Sequence, residues 1–121
     1  MEEIPTHFKM KPTKKEEKEL DDTWARRVKT RDKWTCQICN KKVFGRNCHA
    51  HHILPRQLKE KKIGLRWDID NGITLCYNHH KRGTWSAHNN AIWFTFWLKT
   101  NKPKQFRHVI EKLKKMGKDL E

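Results

Sequence analysis

Residues 50–55 read AHHILP, with two adjacent histidines, His51 and His52, ahead of an apolar pair and Pro55. A strand is expected over about residues 49–54. Neighbouring side chains on a strand point to opposite faces, so His51 and His52 are expected to do different jobs. The rest of the sequence is read for what stands on each face.

The chain has 121 residues, which suits one domain with one modest core. Lys plus Arg is 28 against 14 Asp plus Glu, a formal net charge of +14. Such an excess points to a polyanionic partner, most simply nucleic acid. No apolar run approaches the roughly 20 residues of a spanning helix, so no membrane partner is expected and an intracellular location is. The six tryptophans are expected to supply core that the low aliphatic content does not. The four cysteines include a Cys-x-x-Cys pair, which in a cytosolic setting favours a metal over disulfides.

Thr13 and Glu16 fit a capping box, and Leu20, Trp24 and Val28 follow at i, i+4 and i+8, so a helix is predicted over about 13–30. Residues 1–12 read as a flexible basic arm before it. Residues 55–70 read as a long irregular loop, and a second short strand is expected at 73–75 after the Asn71-Gly72 turn signal. A helical segment is expected near 77–82, broken by Gly83. Residues 86–99 read as a helix apolar almost all round, hence buried. The last helix opens at Pro103, carries Phe106, Val109, Ile110, Leu113 and Met116 on one face, and is expected to stop at Gly117.

CQIC (36–39) and CYNH (76–79) are two ligand pairs with matching two-residue spacing. Cys36, Cys39, Cys76 and His79 together make a closed tetrahedral shell for a structural zinc ion, which stabilises a small domain with a thin core. Cys48 is the spare, either buried or a replacement for His79 as ligand.

AHHILP, then DIDNGITLC (68–76), then the histidine ending CYNHH (76–80) resemble the HNH endonuclease family, the ββα-metal nucleases. The lead-in RDKWTCQIC (31–39) is similar to that family too, and WSAHNN (85–90) followed by aromatics resembles its small phage-encoded members. The resemblance spans roughly residues 24–97 and implies an α+β fold: a small ββα-metal core with a zinc-bound knuckle, flanked by N- and C-terminal helices. It implies one nuclease domain over 13–121, with the core at about 33–90 and C-terminal helices within 86–116.

By the same resemblance, His51 and His80 hold a catalytic divalent cation (Mg2+, Mn2+, Ni2+ or Zn2+), His52 is the general base, and Asn71 braces the loop that aims it. The chemistry agrees with these roles. A neutral imidazole is a good base near pH 7, and a cation held by two histidines leaves positions open for phosphate and acts as a Lewis acid. Because His79 and His80 are adjacent, their zinc and catalytic roles can be exchanged. His49 reads as a substitute ligand or a phosphate contact, and His88 as a third ligand or phosphate contact or as a solvated or core-edge histidine.

Arg56, Arg66 and Arg82, with Lys59, Lys61 and Lys62, are candidate phosphate contacts. Double-stranded DNA is the expected partner, cut by nicking with weak sequence preference. A monomer or weak dimer is expected, with phage packaging proteins as conceivable partners. The alternative is a catalytically inactive, zinc-stabilised DNA-binding module, and an RNA-directed protein is a third reading.

Overall fold

The computed structural model describes residues 12–55 and 65–120, with side chains up to residue 117. The expected N-terminal arm, apart from Pro12, and Arg56, Lys59, Lys61 and Lys62 lie outside the described residues. Helix α1 spans Lys14–Arg31, strand β1 His49–His52, strand β2 Gly72–Leu75, helix α2 Ala91–Asn101 and helix α3 Pro103–Leu120. Single 3₁₀ turns occupy Gly45–Asn47, Leu65–Trp67 and Ile69–Asn71, and one wide π-helical turn occupies Asn78–Arg82. The result is a mixed helical protein around a two-stranded sheet, consistent with the ββα-metal fold.

Helix α1 starts where the capping box says it should: Thr13 Oγ1 accepts from the Glu16 amide, and the Glu16 carboxylate accepts from the Thr13 amide. Two orphan backbone donors are thereby satisfied at the helix entrance. Leu20, Trp24 and Val28 are buried along one stripe, as the spacing predicts. That stripe lies on the sheet. A Cβ on Gly72 would stand 2.5 Å from Val28 Cγ2 and 2.6 Å from Trp24 Cζ2, so only glycine permits the helix to approach β2 this closely. At the far end, Arg31 donates to the carbonyls of Ile69 and Gly72, and Asp32 accepts from the Thr74 amide. These contacts fix α1 to β2 at both polar and apolar points.

The strands pair antiparallel, His49 with Leu75, Ala50 with Thr74, His51 with Ile73 and His52 with Gly72. Strand β1 is shorter than expected and ends at His52, because the following backbone is taken by Asn71: the Ile53 amide donates to its carbonyl and the Leu54 amide to its side chain. Ile73, Leu75, Val43, Phe94, Leu98 and Val109 form the middle of the core, between the sheet and the two C-terminal helices.

Several expectations change. Of the six tryptophans Trp24 is buried, Trp93 and Trp97 pack partly buried against the core, and Trp34 and Trp85 are exposed, so tryptophan supplies only part of the core beside aliphatic residues and cysteines. The helix expected from residue 86 starts at Ala91, because Asn90 caps it by accepting from the Trp93 amide. Nor is it buried all round: Phe94 and Leu98 face the core, while Ile92 (87 % exposed) and Phe96 (73 %) face outward. Gly117 does not stop α3, which continues to Leu120; one glycine costs a helix only about 1 kcal/mol, less than breaking it.

Candidate active site and metal centres

The knuckle comes first in the chain. The Thr35–Lys42 bridge, the Cys36 amide bonded to the Lys41 carbonyl, and Asn40 at φ 62° fold residues 35–42 into a tight turn. Asparagine tolerates this left-handed geometry better than most residues. The Gln37 amide donates to the Thr74 carbonyl and anchors the turn on β2. Cys76 directly follows β2, and His79 lies on the π turn one step further.

Cys36, Cys39, Cys76 and His79 converge, with their ligand atoms all within 4.8 Å of one another. The His79 Nδ1 atom is 3.2 Å from Cys76 Sγ and 3.9 Å from Cys36 Sγ. Around a tetrahedral zinc, a sulfur and a nitrogen ligand stand about 3.6 Å apart, so the set fits. The electrostatics fit as well. Burial pushes the Cys36 thiol up, but amides at Cys39, Cys76 and Ile38 outweigh it and hold Cys36 below the usual thiol range. Burial, with the neighbouring Cys36 and Cys39 sulfurs, raises Cys76 to about 11. The protein alone thus favours the thiolate at Cys36 and the thiol at Cys76, and a bound divalent cation would favour ionisation of Cys76 as well. Cys48 is buried in the core and belongs to no such cluster.

His51, His80 and His88 form a second convergent group. His80 Nε2 is 3.0 Å from His51 Nδ1 and 3.1 Å from His88 Nε2. Imidazole nitrogens around a tetrahedral ion stand about 3.3 Å apart, so three ring nitrogens gathered this closely could hold a cation. Burial, with His80 and His88 nearby, pushes His51 down to about 3; burial and His88 do the same for His80. His88 is lowered by burial and by Lys81. All three rings are therefore neutral at pH 7 and able to coordinate. Their donor set has no carboxylate.

The π turn separates the adjacent His79 and His80: each step rotates the side chain by about a quarter turn, which sends one to the sulfurs and the next to the imidazoles. The chain then folds back. The amides of Ala87 and His88 donate to the carbonyls of His79 and His80, and the Asn89 side chain donates to the carbonyls of Lys81, Arg82 and Gly83. This hairpin-like return is what carries His88 to His80. Gly83 makes it possible, since a Cβ there would stand 2.8 Å from Asn78 Oδ1.

His52 points to the other side of β1. Its ring stacks on Trp24 at 3.8 Å between centroids and 6° between planes. Its Nε2 is 2.8 Å from the Arg66 carbonyl. A carbonyl only accepts, so Nε2 carries the proton and Nδ1 the lone pair of the neutral ring. Asn71, fully buried, closes the base of the intervening loop. Its Oδ1 accepts from the Leu54 amide at 2.7 Å, and its Nδ2 donates to the carbonyls of Leu54 and Leu65 at 2.9 and 3.0 Å. It thus ties residues just after His52 to residues just before Arg66.

Arg66 departs from expectation. Its guanidinium is bonded to Asp21 (2.8 and 3.0 Å) and Glu17 (3.2 Å) on α1, and Trp67 Nε1 also donates to Asp21. A fork engaged by two carboxylates braces the backbone whose carbonyl meets His52. Arg82 is exposed at the end of the π turn. The spacing gave no sign of either support for His52: Trp24 reads as an ordinary core residue, and a backbone carbonyl leaves no trace in a sequence.

His49 also lies beside His80, with the two Nδ1 atoms 2.7 Å apart, and its Nε2 is 2.7 Å from the Arg46 carbonyl. A third grouping, Asp68, Asp70 and His108, is a docking contact. Asp68 caps the Asp70 amide with one oxygen and bonds His108 of α3 at 2.6 Å with the other.

No curated protein and no solved structure matches the chain. Residues 36–84 match the family model described as HNH endonuclease. That stretch runs from the first cysteine of the knuckle to just beyond the π turn and contains both strands, Asn71 and the two histidine doublets. Over residues 36–84, the chain is thus similar to the HNH endonuclease family.

Proposed function

We propose that the protein is a metal-dependent endonuclease that hydrolyses phosphodiester bonds of double-stranded DNA. The observation that carries this reading is the split of the β1 doublet: His52, with its Nδ1 lone pair fixed by the Arg66 carbonyl, on one face, and His51 within a convergent three-imidazole group on the other. A DNA-binding module needs neither. His52 takes the proton of the attacking water at Nδ1, and stacking on Trp24 keeps the ring from swinging away. His51, His80 and His88 hold a divalent cation. When bound, that ion supplies Lewis-acid stabilisation of charge on the phosphate and the leaving oxygen. Asn71 is a positioning residue, fixing the backbone on both sides of the base.

Cys36, Cys39, Cys76 and His79 hold a structural zinc ion. The three-imidazole set favours Mn2+, Ni2+ or Zn2+ over Mg2+, which prefers oxygen ligands. The +14 charge draws the protein to the DNA backbone, with the exposed Arg82, at the end of the turn that carries His80, as one phosphate contact. One active site cuts one strand, so a monomer nicks.

Supercoiled plasmid incubated with Mn2+, Ni2+ or Mg2+ tests the reading. Wild type converts it to nicked circles, and His52→Ala slows this by about 10²–10⁴-fold, the range of a lost general base. Plasmid left supercoiled by wild type across all these ions overturns the enzyme reading; equal rates for both proteins overturn the role of His52.

A further inference from the structure

His49 borders the site above without a role in it. Its Nε2 lies 2.7 Å from the Arg46 carbonyl, which only accepts, so Nε2 carries the proton and Nδ1 of the neutral ring carries a lone pair. That Nδ1 is 2.7 Å from His80 Nδ1, a distance at which one proton must lie between the nitrogens. Since His49 brings the lone pair, His80 brings the N–H. The His80 ring then has its own lone pair on Nε2, the atom 3.0 Å from His51 Nδ1 and 3.1 Å from His88 Nε2. The opposite tautomer would aim an N–H at the centre of the three-imidazole group and repel a cation.

We infer that His49 is a positioning residue that fixes His80 as the Nδ1–H tautomer and so presents its Nε2 as a metal-ligating atom. The chain of bonds runs Arg46 carbonyl, His49, His80, and ends at the cation site; it rests on the reading of His51, His80 and His88 as that site. The anchor is firm. Arg46 lies in the 3₁₀ turn Gly45–Asn47, and the Asn47 side chain accepts from the Tyr77 amide, which joins this turn to the segment that leads to His80. A partner of this kind on a ligating histidine fixes ring orientation and raises its basicity, and its loss costs metal affinity about 10–100-fold. His49 sits two residues before His51 on the same strand face. It serves the site from behind without itself belonging to the convergent trio.

The test uses the full chain with its zinc in place. Long-range proton–nitrogen NMR of the imidazole rings in wild type before Mn2+ addition reports the tautomer of His80; the Nδ1–H form is expected. Calorimetric titration with Mn2+ then compares wild type, His49→Phe and His49→Asn. The Phe variant keeps a ring without an acceptor and is expected to bind Mn2+ about 10–100-fold more weakly. The Asn variant puts an amide oxygen where Nδ1 stood and is expected to recover most of the loss. Finding His80 as the Nε2–H tautomer in wild type overturns the inference, as does a Phe variant that binds Mn2+ within about threefold of wild type. Neither readout involves DNA, so a protein that shows both signatures but leaves plasmid intact refutes the nuclease reading and leaves the role of His49 standing.

Discussion

The protein contains two histidine doublets, and it splits each by a different device. His51 and His52 sit on a strand, where the two-residue period sends them to opposite faces of a sheet held in register by four pairs. His79 and His80 sit on a wide helical turn, where successive side chains diverge by about a quarter turn. On the proposed reading, the strand split separates a base from a cation. The helical split separates two groups that could each hold a metal, Cys3His on one side and three imidazoles on the other. The strand doublet is held by the sheet and by α1. The helical doublet borders the knuckle, because His79 converges with Cys36, Cys39 and Cys76.

The largest effect is expected from breaking the knuckle. Cys36→Ser removes one ligand of a closed set whose binding energy, about 10–16 kcal/mol for a structural zinc, is folding energy. The expected outcome is loss of zinc by mass spectrometry together with loss of cooperative thermal unfolding. A Cys36→Ser protein that melts like wild type and retains zinc contradicts a structural role for the cluster.

The next experiment contrasts the two members of the helical doublet. His79→Ala is expected to weaken zinc retention and stability. His80→Ala is expected to leave zinc and melting nearly unchanged while abolishing Mn2+ binding by calorimetry. Equal effects of the two substitutions would mean that the turn does not separate the metal sets.

Asn71→Ala tests the strand doublet. It removes the partner of the Leu54 amide and of the Leu54 carbonyl, and one of two donors to the Leu65 carbonyl, which also accepts from the Asp68 amide. Each orphaned group costs about 1–3 kcal/mol, so a loss of about 2 kcal/mol or more is expected in urea unfolding, with slower plasmid nicking. Unchanged stability would show that water replaces the amide and that the loop is not clamped.

The smallest effect is expected from Arg66→Ala. Its pairs with Asp21 and Glu17 are partly exposed and contribute about 1 kcal/mol. Nicking is expected to slow more than this destabilisation alone explains, because the carbonyl on His52 loses its brace. DNA affinity that falls steeply while the turnover rate stays constant would instead mark Arg66 as a phosphate contact.

Much of this architecture is legible in the sequence. The Thr13–Glu16 cap, the Leu20–Trp24–Val28 stripe and the paired two-residue spacings are local signals, and the fold obeys them. The opposite faces of His51 and His52 follow from the strand period alone. The roles of His79 and His80 do not, because the direction a helical side chain takes depends on where the turn begins, and no spacing fixes that. His88 was ambiguous for a related reason: its place depends on backbone bonds from Ala87 and His88 back to the π turn, which no side-chain pattern announces. Arg66 reads from the sequence as a phosphate contact, because it is a basic loop residue beside a nuclease motif, and the sequence gives no hint of its carboxylate partners. Its partners, Glu17 and Asp21, lie 49 and 45 positions away.

The contact of Trp24 with His52 bears on how portable this motif is. The family-matched stretch begins at residue 36, yet the ring that stacks on His52 and the carboxylates that hold Arg66 all come from α1, upstream of it. A graft of residues 36–84 into another scaffold would carry both histidine doublets and leave behind the ring on which His52 stacks. The helix ahead of the matched stretch therefore belongs with it as one structural unit.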